Sequence, residues 1–272
     1  MAQKRPAGAA TTVAALYRAP VIDTIRFILL LLLLGWMLSR SFTTLGYNWQ
    51  WHRVKPFLFT ITDTGMAPGP LLYGLGVTLH LSALSLIFAF LIGMVVALLR
   101  LSGSPVGRLL ARGYLEIVRN TPLLIQIFFI YFVLGPVFGL DRFPAAVLAL
   151  SLFEGAYASE IFRSGILSVD KGQLEAAASL GLKKHHIYRF VILPQAIRTV
   201  LPPLTSQAIS LIKDSALVSI IAIYDLTMQA QALISETFLT FEIWFTVAIL
   251  YLVITVTLSF LVAFLESHLK VS

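Results

Sequence analysis

The sequence predicts an all-α, polytopic membrane protein with about six transmembrane helices. Apolar residues make up 58% of its 272 residues, and the mean hydropathy is +0.88. Charged residues account for only 12% of the chain, about half of their share in ordinary soluble domains. The apolar residues also gather in runs, several of them long enough to cross a hydrocarbon core, which takes about 20 residues of helix.

Six apolar runs follow one another along the chain. The first, residues 25–38, contains six consecutive leucines. Its length also suits the core of a signal peptide, but no small-residue cleavage pattern follows it, and we therefore expect an uncleaved extra transmembrane helix over residues 25–40. Residues 1–24 are expected to form a cytoplasmic tail, and residues 41–69 an extracytoplasmic loop. The other five runs lie within the main membrane domain, residues 70–268, and cover residues 71–99, 114–134, 143–166, 190–212 and 241–265.

Particular residues indicate how these runs pack and where they are irregular. We expect residues 101–112 to form a short basic turn. Pro122 should loosen the third run near its start, and Pro202-Pro203 should kink the fifth, because a proline removes one helical hydrogen bond. A stripe of small residues in the second run lets another helix approach closely, and we expect it to serve packing. Its members are Ser85, Ala89, Gly93 and Ala97.

The distribution of basic residues predicts the orientation in the membrane. With the N-terminus inside, 15 of the 20 Lys and Arg residues fall on cytoplasmic segments and 5 on outer segments. Cytoplasmic loops of membrane proteins carry such an excess, so we predict that both termini are cytoplasmic, together with the segment between the fourth and fifth runs. The basic residues flank apolar runs and form no single patch, which argues against nucleic-acid binding.

A polar, charged island separates the fourth run from the fifth. Asp170 can cap a helix with its side-chain oxygen, and Gln173 can return a bond to the cap. Residues 174–180 are rich in alanine and strongly helix-forming. Gly181 suits the left-handed position just past a helix end. We therefore predict a short, exposed helix over about residues 170–182 that is available to a partner protein.

The same island carries a recognisable pattern of residues. Glu175-Ala176-Ala177 is followed after three residues by Gly181, and later by Ile192-Leu193-Pro194. This pattern resembles the EAA loop of bacterial ABC importer permeases. Further segments are similar to the polar amino-acid branch of those permeases, so that the resemblance extends over roughly residues 72–269. They are residues 119–124, 155–163 and 209–215.

The resemblance implies the membrane subunit of an ATP-driven importer for a polar amino acid. The helix over residues 170–182 would then be a coupling helix that receives ABC ATPase subunits. A second permease subunit, identical or related, and an extracytoplasmic binding protein are the other implied partners, and the bacterial inner membrane is the implied location. The implied ATPase contacts are Glu175, Ala176, Ala177, Gly181 and Leu182.

The chain itself is predicted to be no enzyme. It contains no G-x-x-x-x-G-K-[ST] phosphate-binding loop, so ATP and its magnesium ion would be bound by a partner subunit. It contains no H-E-x-x-H or G-x-S-x-G motif of common hydrolases. There is no cysteine to hold a metal, and His185 and His186 are adjacent, so they point in different directions on a helix. We expect no metal and no cofactor.

Polar residues in the fourth run are candidates for a substrate pathway. An ionisable group such as Glu154 is costly at membrane depth unless it faces protein or water. Ser151, Glu154 and Tyr157 are three residues apart, so they share one helix face. Glu154 could attract the ammonium group of a substrate, or it could be a structural carboxylate that is hydrogen-bonded to a neighbouring helix. Both interpretations stay open on the sequence.

Other runs contribute weaker pathway candidates. The fifth run is unusually polar, and its Gln207 and Ser210 could line a hydrated path, since lipid would penalise such a surface. Gln126 in the third run is a candidate as well, although a single glutamine usually forms hydrogen bonds between helices. Asp214 is expected at the outer end of the fifth run. There Asp214 and Asp225 would either meet a binding protein or be solvated loop charges.

The remaining charged pair at the inner end of the fourth run is expected to be structural. Glu160 and Arg163 are three residues apart and can form an ion pair on one helix. Two other classes of protein fit the sequence less well. An ion-coupled secondary transporter would show inverted repeats, and no two segments of this chain resemble each other in that way. A scaffold protein would leave the polar fifth run and Glu154 without a purpose.

Overall fold

A computed structural model describes residues 20–44, 46–62 and 65–269. The chain divides into two compact units, Met1–Trp49 and Gln50–Ser272. The described part of the first unit is mainly one helix, α1, which spans Pro20–Thr44 and exposes the leucines at positions 29–34. This helix contains the segment predicted at residues 25–40. Residues 1–19 of the predicted tail lie outside the described residues.

The second unit is almost entirely helical. A short hairpin within the predicted outer loop pairs β1, Phe59–Thr62, with β2, Gly65–Pro68, in antiparallel register. The helices are α2 Lys55–Leu58, α3 Pro70–Leu101, α4 Pro105–Arg119, α5 Leu123–Phe128, α6 Gly135–Phe138, α7 Arg142–Leu167, α8 Lys171–Ser179, α9 Lys184–Ile187, α10 Leu193–Asp214, α11 Leu226–Thr237 and α12 Thr240–Leu269. The predicted all-α fold is confirmed, while the hairpin was not predicted.

Several of these helices can cross a membrane. Within the described residues, four segments are long and apolar enough: Pro70–Leu101, Arg142–Leu167, Lys184–Ile221 and Thr240–Phe264. The bent pair formed by α4 and α5–α6 makes a fifth if the two count as one span. The polytopic membrane class is therefore confirmed. The number six, which includes the helix at residues 25–40, stays a prediction.

The third predicted run, residues 114–134, is wrong as one continuous span. The chain turns by 107° between α4 and α5. Pro122 stands at this turn with extended backbone angles of φ −60° and ψ 140°. Because proline has no N–H and disfavours helical geometry in the residue before it, α4 ends at Arg119 and α5 starts afresh at Leu123.

The basic turn predicted at residues 101–112 is also wrong, because most of it belongs to α4. Ser104 caps this helix, and its Oγ accepts a hydrogen bond of 3.2 Å from the Gly107 backbone N–H. Pro105 occupies the first helical position, where a missing N–H costs nothing. A serine followed by a proline is a typical helix start, and that signal was overlooked.

Proline also accounts for the wide turns in two membrane segments. π-helical turns at Phe129–Leu134 and Tyr188–Ile192 each end just before a proline, Pro136 and Pro194 respectively. A proline ring clashes with the carbonyl four residues earlier, and a wider turn relieves that clash. By contrast, α10 continues through Pro202 and Pro203 as a helix.

The packing of α3 against α7 is the centre of the second unit. A Cβ on Gly93 would lie 2.8 Å from the Ala158 Cβ, and a Cβ on Gly155 would lie 3.2 Å from the Ala89 carbonyl oxygen. Ser85, Ala89 and Ala97 are completely buried. The small-residue stripe predicted for packing is confirmed, because larger side chains at these positions would separate the two backbones.

The segment after α10 packs on the first turns of α3. A Cβ on Gly74 would lie 2.8 Å from the Asp225 carbonyl oxygen, and the Leu226 N–H donates to Thr78 Oγ1 at 3.1 Å. Asp225 is fully buried, and its Oδ1 accepts a 2.9 Å hydrogen bond from the Met228 N–H. The surface position expected for Asp225 is therefore wrong, because this aspartate caps α11 inside the protein.

We expect Asp225 to make the stability of the fold depend on pH. Burial raises the pKa of Asp225 from 3.8 to about 6. Because the folded-state pKa lies above the unfolded one, the stabilisation is present at low pH and is lost as pH rises through about 6. The upper limit of this effect is about 3 kcal/mol.

Melting temperatures of the purified chain in detergent between about pH 4 and pH 8 measure this effect, because this range includes both pKa values. Asp225→Asn keeps a good helix cap and removes the ionisation, so its melting temperature should change less over this range. Asp225→Ala removes the cap as well and should be less stable at every pH, by roughly 1 kcal/mol. An unchanged pH dependence in the asparagine variant would contradict the assignment.

Candidate functional site

The predicted exposed helix is present as α8, between the membrane segments α7 and α9–α10. Asp170 caps it, and its Oδ1 accepts a 2.6 Å hydrogen bond from the Gly172 N–H. The helix ends at Ser179, and Gly181 just past this end has a φ of +76° in the left-handed region, as its sequence position predicted. The return bond expected from Gln173 to the cap is wrong, because its side-chain oxygen accepts from Gln195 Nε2 of α10 instead.

The exposure of the predicted ATPase contacts divides them into two groups. Glu175, Ala176, Gly181 and Leu182 are exposed to solvent. Ala177 differs from the expectation, since it is buried. It packs in a small apolar core whose other buried members are Val169, Ile187, Ile192 and Ala196. The small size of Ala177 therefore lets α8 pack against its own chain and does not offer a surface to a partner.

Leu180 is an exposed apolar residue that the sequence reasoning missed. Its side chain is 81% exposed at the end of α8, close in sequence to Glu175 and Leu182. Together with Leu182, it adds exposed apolar area directly after α8. The position of Leu180 in the sequence could have indicated its exposure, because it stands directly before Gly181, where the chain turns after α8.

A cluster of charges lies at the same end of the molecule as α8. Glu160 accepts hydrogen bonds from Arg100 Nη1 at 2.5 Å, Arg119 Nη1 at 3.2 Å and Arg163 Nε at 3.2 Å. The predicted ion pair with Arg163 is present, and arginines from α3 and α4 join it. One carboxylate thus ties three helices together, which supports the structural role expected for Glu160.

Tyr157 belongs to this charged cluster and not to the environment of Glu154. The Arg119 guanidinium carbon lies 5.8 Å from the centre of the Tyr157 ring. A polar cavity of about 330 Å³ is lined by Tyr157, Glu160 and Glu116, and by Arg100 and Arg119. The shared helix face that was predicted for Ser151, Glu154 and Tyr157 therefore opens onto different surroundings at each residue.

Glu154 lies in the middle of α7, as the thirteenth of its 26 residues, and its side chain is 1% exposed. One carboxylate oxygen accepts a hydrogen bond from Gln207 Nε2 of α10. The other oxygen has no hydrogen-bond partner among the described residues. Asp214 is close enough for its carboxyl group to interact with that of Glu154. Two carboxyl groups and an amide thus meet at membrane depth.

The position predicted for Asp214, at the outer end of the fifth run, is wrong. The span continues from α10 through a 3₁₀ segment, Ser215–Ile221, and the whole segment Lys184–Ile221 has 38 residues. Asp214 therefore lies inside the span. The predicted run ended at residue 212 because charged residues follow it. The spacing of Gln207, Ser210 and Asp214 on one helix face could have indicated the correct position.

The other predicted pathway residues have different roles in the structure. Ser151 is fully buried, and its Oγ donates to the backbone carbonyls of Val147, at 2.5 Å, and Ser85, at 3.2 Å. Gln126 Nε2 donates to the carbonyls of Val118, at 2.8 Å, and Thr121, at 3.0 Å. Both residues satisfy backbone groups, Gln126 at the break between α4 and α5. Ser210 is partly exposed, one turn after Gln207.

The arrangement around Glu154 is suited to a positively charged group. Glu154 and Asp214 repel each other when both are ionised, and this repulsion is strong in surroundings of low dielectric constant. An ammonium group beside them would remove the repulsion and supply donors for the unpaired carboxylate oxygen. The structure therefore brings together Glu154 and Gln207 of the predicted set and adds Asp214.

Comparison with known proteins reveals clear relatives. The family model for the binding-protein-dependent transport system inner membrane component matches residues 89–271. The glutamine transport system permease protein GlnP of Escherichia coli (strain K12) is 40% identical over 204 residues, which cover 74% of this chain and 93% of that protein. The probable glutamine ABC transporter permease protein GlnM of Bacillus subtilis (strain 168) is 40% identical over 197 residues, which cover 72% and 91%.

Solved structures with similar folds are also known. A crystal structure of an amino acid ABC transporter with histidines superposes with a TM-score of 0.69 at 40% identity, covering 73% of this chain and 94% of that one. An inward-facing MetNI methionine ABC transporter gives a TM-score of 0.64 at 20% identity, covering 74% and 96%. The second likeness concerns the fold alone.

We expect the Glu154–Gln207 hydrogen bond to stabilise the packing of α7 on α10. Gln207→Leu should lower the free energy of unfolding by about 1–3 kcal/mol, because it leaves a buried carboxylate without its donor. Glu154→Leu combined with Gln207→Leu should recover part of that loss, since neither member of this hydrogen-bonded pair is then left without its partner.

Thermal unfolding in detergent provides the measurement. Ser210→Ala is the matched control on the same helix, and it should change stability by less than about 0.5 kcal/mol. If the double variant loses the sum of the two single losses, the two side chains are not coupled, and the hydrogen bond does not hold the helices together.

Proposed function

The chain belongs to the family of binding-protein-dependent transport system inner membrane components, as an ABC importer permease of the polar amino-acid branch, and on this premise we propose that it moves a polar amino acid inward across the membrane. It is the membrane-spanning subunit and is no enzyme itself. Separate ATPase subunits bind ATP together with its magnesium ion and hydrolyse the ATP. The observation that carries this proposal is the exposed α8, which lies between two membrane segments and contains the EAA residues.

The attachment of α8 explains how it transmits movement. Ala177 is buried with Val169, which follows α7, and with Ile192, which precedes α10. The side-chain hydrogen bond between Gln173 and Gln195 adds a polar link to α10. Because these contacts attach α8 to both membrane segments, an ATPase that displaces α8 also displaces α7 and α10. Alternating access follows when that displacement opens one side of the membrane domain and closes the other.

The exposed residues of α8 supply the contact with the ATPase. Glu175 offers a carboxylate for an ion pair or hydrogen bond, and Ala176 permits close approach. Leu180 and Leu182 add apolar area that is exposed in the isolated chain. Gly181 allows the backbone to turn directly after the helix, which keeps these side chains on one short projecting segment.

Further partners complete the importer. Two permease subunits, identical or related, form the membrane pathway, and an extracytoplasmic binding protein delivers the amino acid to its outer face. The complex resides in the bacterial inner membrane with both termini of this chain in the cytoplasm. Its basic end, with Arg100, Arg119 and Arg163 around Glu160, is then the cytoplasmic end, in keeping with the excess of positive charge there. Nucleic acid is no partner.

The polar group at membrane depth is proposed to contact the substrate. Glu154 and Asp214 attract the ammonium group of the amino acid, and Gln207 offers an amide for hydrogen bonding. Such a site favours neutral or basic amino acids over acidic ones, since a second carboxylate would be repelled. The names of the relatives, which are glutamine permeases, are compatible with this preference.

We predict that changes on α8 uncouple transport from ATP hydrolysis. Glu175→Arg reverses the charge of the proposed contact, and Gly181→Val places a β-branched residue at φ +76°, which such residues rarely adopt. Uptake by the complex reconstituted with its ATPase subunits should fall more than about tenfold in both variants.

Lys171→Ala, an exposed change at the start of the same helix, is the matched control and should leave uptake unchanged. Undiminished uptake by the Glu175→Arg and Gly181→Val variants would contradict the proposal, because a transporter that works without an ATPase would behave in that way.

We predict that Glu154 contributes to the choice of substrate. Competition of uptake with acidic, neutral and basic amino acids should show a weakened preference for basic and neutral competitors in Glu154→Gln. The amide keeps the shape of the side chain and removes its charge, so a change in selectivity reports the charge alone. Ser164→Ala, an exposed change on the same helix, is the control. Unchanged selectivity would show that Glu154 does not contact the substrate.

A further inference from the structure

An apolar groove lies at the α8 end of the molecule, between α3, α7 and the helix formed by α9 and α10. Its volume is about 820 Å³, and it is open along one side. The walls are formed by large apolar side chains, among them Leu98, Leu101, Phe162, Ile166, Ile192 and Ile197. It is separate from the site around Glu154, whose residues do not line it.

Close contact between α7 and α10 forms the floor of this groove. A Cβ on Gly165 would lie 2.0 Å from the Val200 Cγ2 and 3.4 Å from the Ala196 carbonyl oxygen. The Val200 side chain therefore packs directly against the Gly165 backbone, while Phe162 and Ile166 on α7 line the groove beside the contact. A groove of fixed depth results, because the floor is closely packed and the walls are bulky.

The groove has a polar mouth and an apolar interior. Ser102, His185 and Arg189 lie at the end next to α8, whereas Met94 and Val200 lie at the far end. His185 and Val200 are 15 positions apart along the chain, which corresponds to about 22 Å of helix. One leaflet of a bilayer, headgroup included, is about 20–22 Å thick. The groove is therefore about as long as one leaflet is thick.

Among the residues that the structure describes, Arg189 at the mouth has no acidic partner. It takes part in none of the ion pairs between described residues, and the described residues that line the groove include no carboxylate. It lies in the π-helical turn Tyr188–Ile192, which precedes Pro194. Such a turn changes the direction of its side chains relative to a regular helix. Lys183 and Lys184, both exposed, add positive charge close by in the sequence.

The apolar interior, the length of the groove and the basic residues at its mouth together indicate the chemical class of its ligand. We propose that the groove binds one anionic phospholipid, with its phosphate at Arg189 and an acyl chain along Ile166 and Ile192. An apolar channel of leaflet length suits an acyl chain, and basic residues at its mouth suit an anionic headgroup on the cytoplasmic side. A free amino acid does not fit, because the interior offers no partners for its ammonium and carboxylate groups. The assignment to the cytoplasmic leaflet rests on the orientation in the proposed function.

Photo-crosslinking of the complete permease–ATPase complex in lipid nanodiscs tests this proposal. The probe is phosphatidylglycerol with a diazirine near the end of one acyl chain, and adducts are mapped by mass spectrometry. Adducts are expected on groove residues, and phosphatidylcholine with the same chain should give at least fivefold fewer. Arg189→Gln should reduce the phosphatidylglycerol adducts about fivefold, and Arg189→Glu more than tenfold. Ile166→Trp, which fills the groove, should reduce them as well.

Arg108→Gln is the matched control, because Arg108 is exposed on α4 and does not line the groove. Equal labelling by both lipids, or no effect of Arg189→Gln, would overturn the proposal in favour of ordinary annular lipid. Absence of adducts in the groove would indicate that a protein segment covers it. Melting temperatures establish that each variant is folded. Uptake is measured separately, so a failed lipid site is distinguished from a failed proposal of amino-acid import.

Discussion

The constraint on which the rest of this structure depends is that polar groups at membrane depth must be satisfied by protein, because hydrocarbon offers them no partners. Gln126 bonds the backbone at the break between α4 and α5, and Ser151 bonds backbone carbonyls on α7 and α3. Glu154 receives one donor from Gln207 and keeps one unpaired oxygen. A polar side chain whose hydrogen-bonding groups are all paired within the protein is structural. A side chain that keeps an unpaired atom, as Glu154 does, can accept a hydrogen bond from a ligand.

The same constraint explains why α8 can act on the membrane domain. Helices in lipid have no hydrophobic driving force toward one another, so they associate through close packing and hydrogen bonds. Gly93 and Gly155 bring α3 and α7 into contact, and Gly165 does so for α7 and α10. A displacement of α8 is passed on because the helices are in direct contact at these glycines. The groove beside Gly165 lies next to one of these contacts, and the proposed lipid would occupy it.

Several features could be predicted because they depend on local sequence. Asp170 caps α8, and Gly181 turns the chain with a positive φ just past the end of that helix, since both effects operate within a few residues. The small-residue stripe on α3 has a fixed period, so its burial followed from the spacing. By contrast, the predicted third run ignored how strongly Pro122 interrupts a helix, and the charges at residues 213 and 214 concealed that the fifth span continues beyond them.

By itself, the sequence determined the helical membrane class, the small-residue packing stripe on α3 and the exposed helix with its EAA residues. These features follow from hydrophobic runs, residue spacing and capping, which act over short distances. Only the tertiary structure decided which side chains meet: Glu154 with Gln207 and Asp214, Glu160 with three arginines, Ala177 with its own core, and Asp225 inside the fold. Such contacts join residues far apart in the chain, and helix packing, which no local pattern encodes, sets their distances.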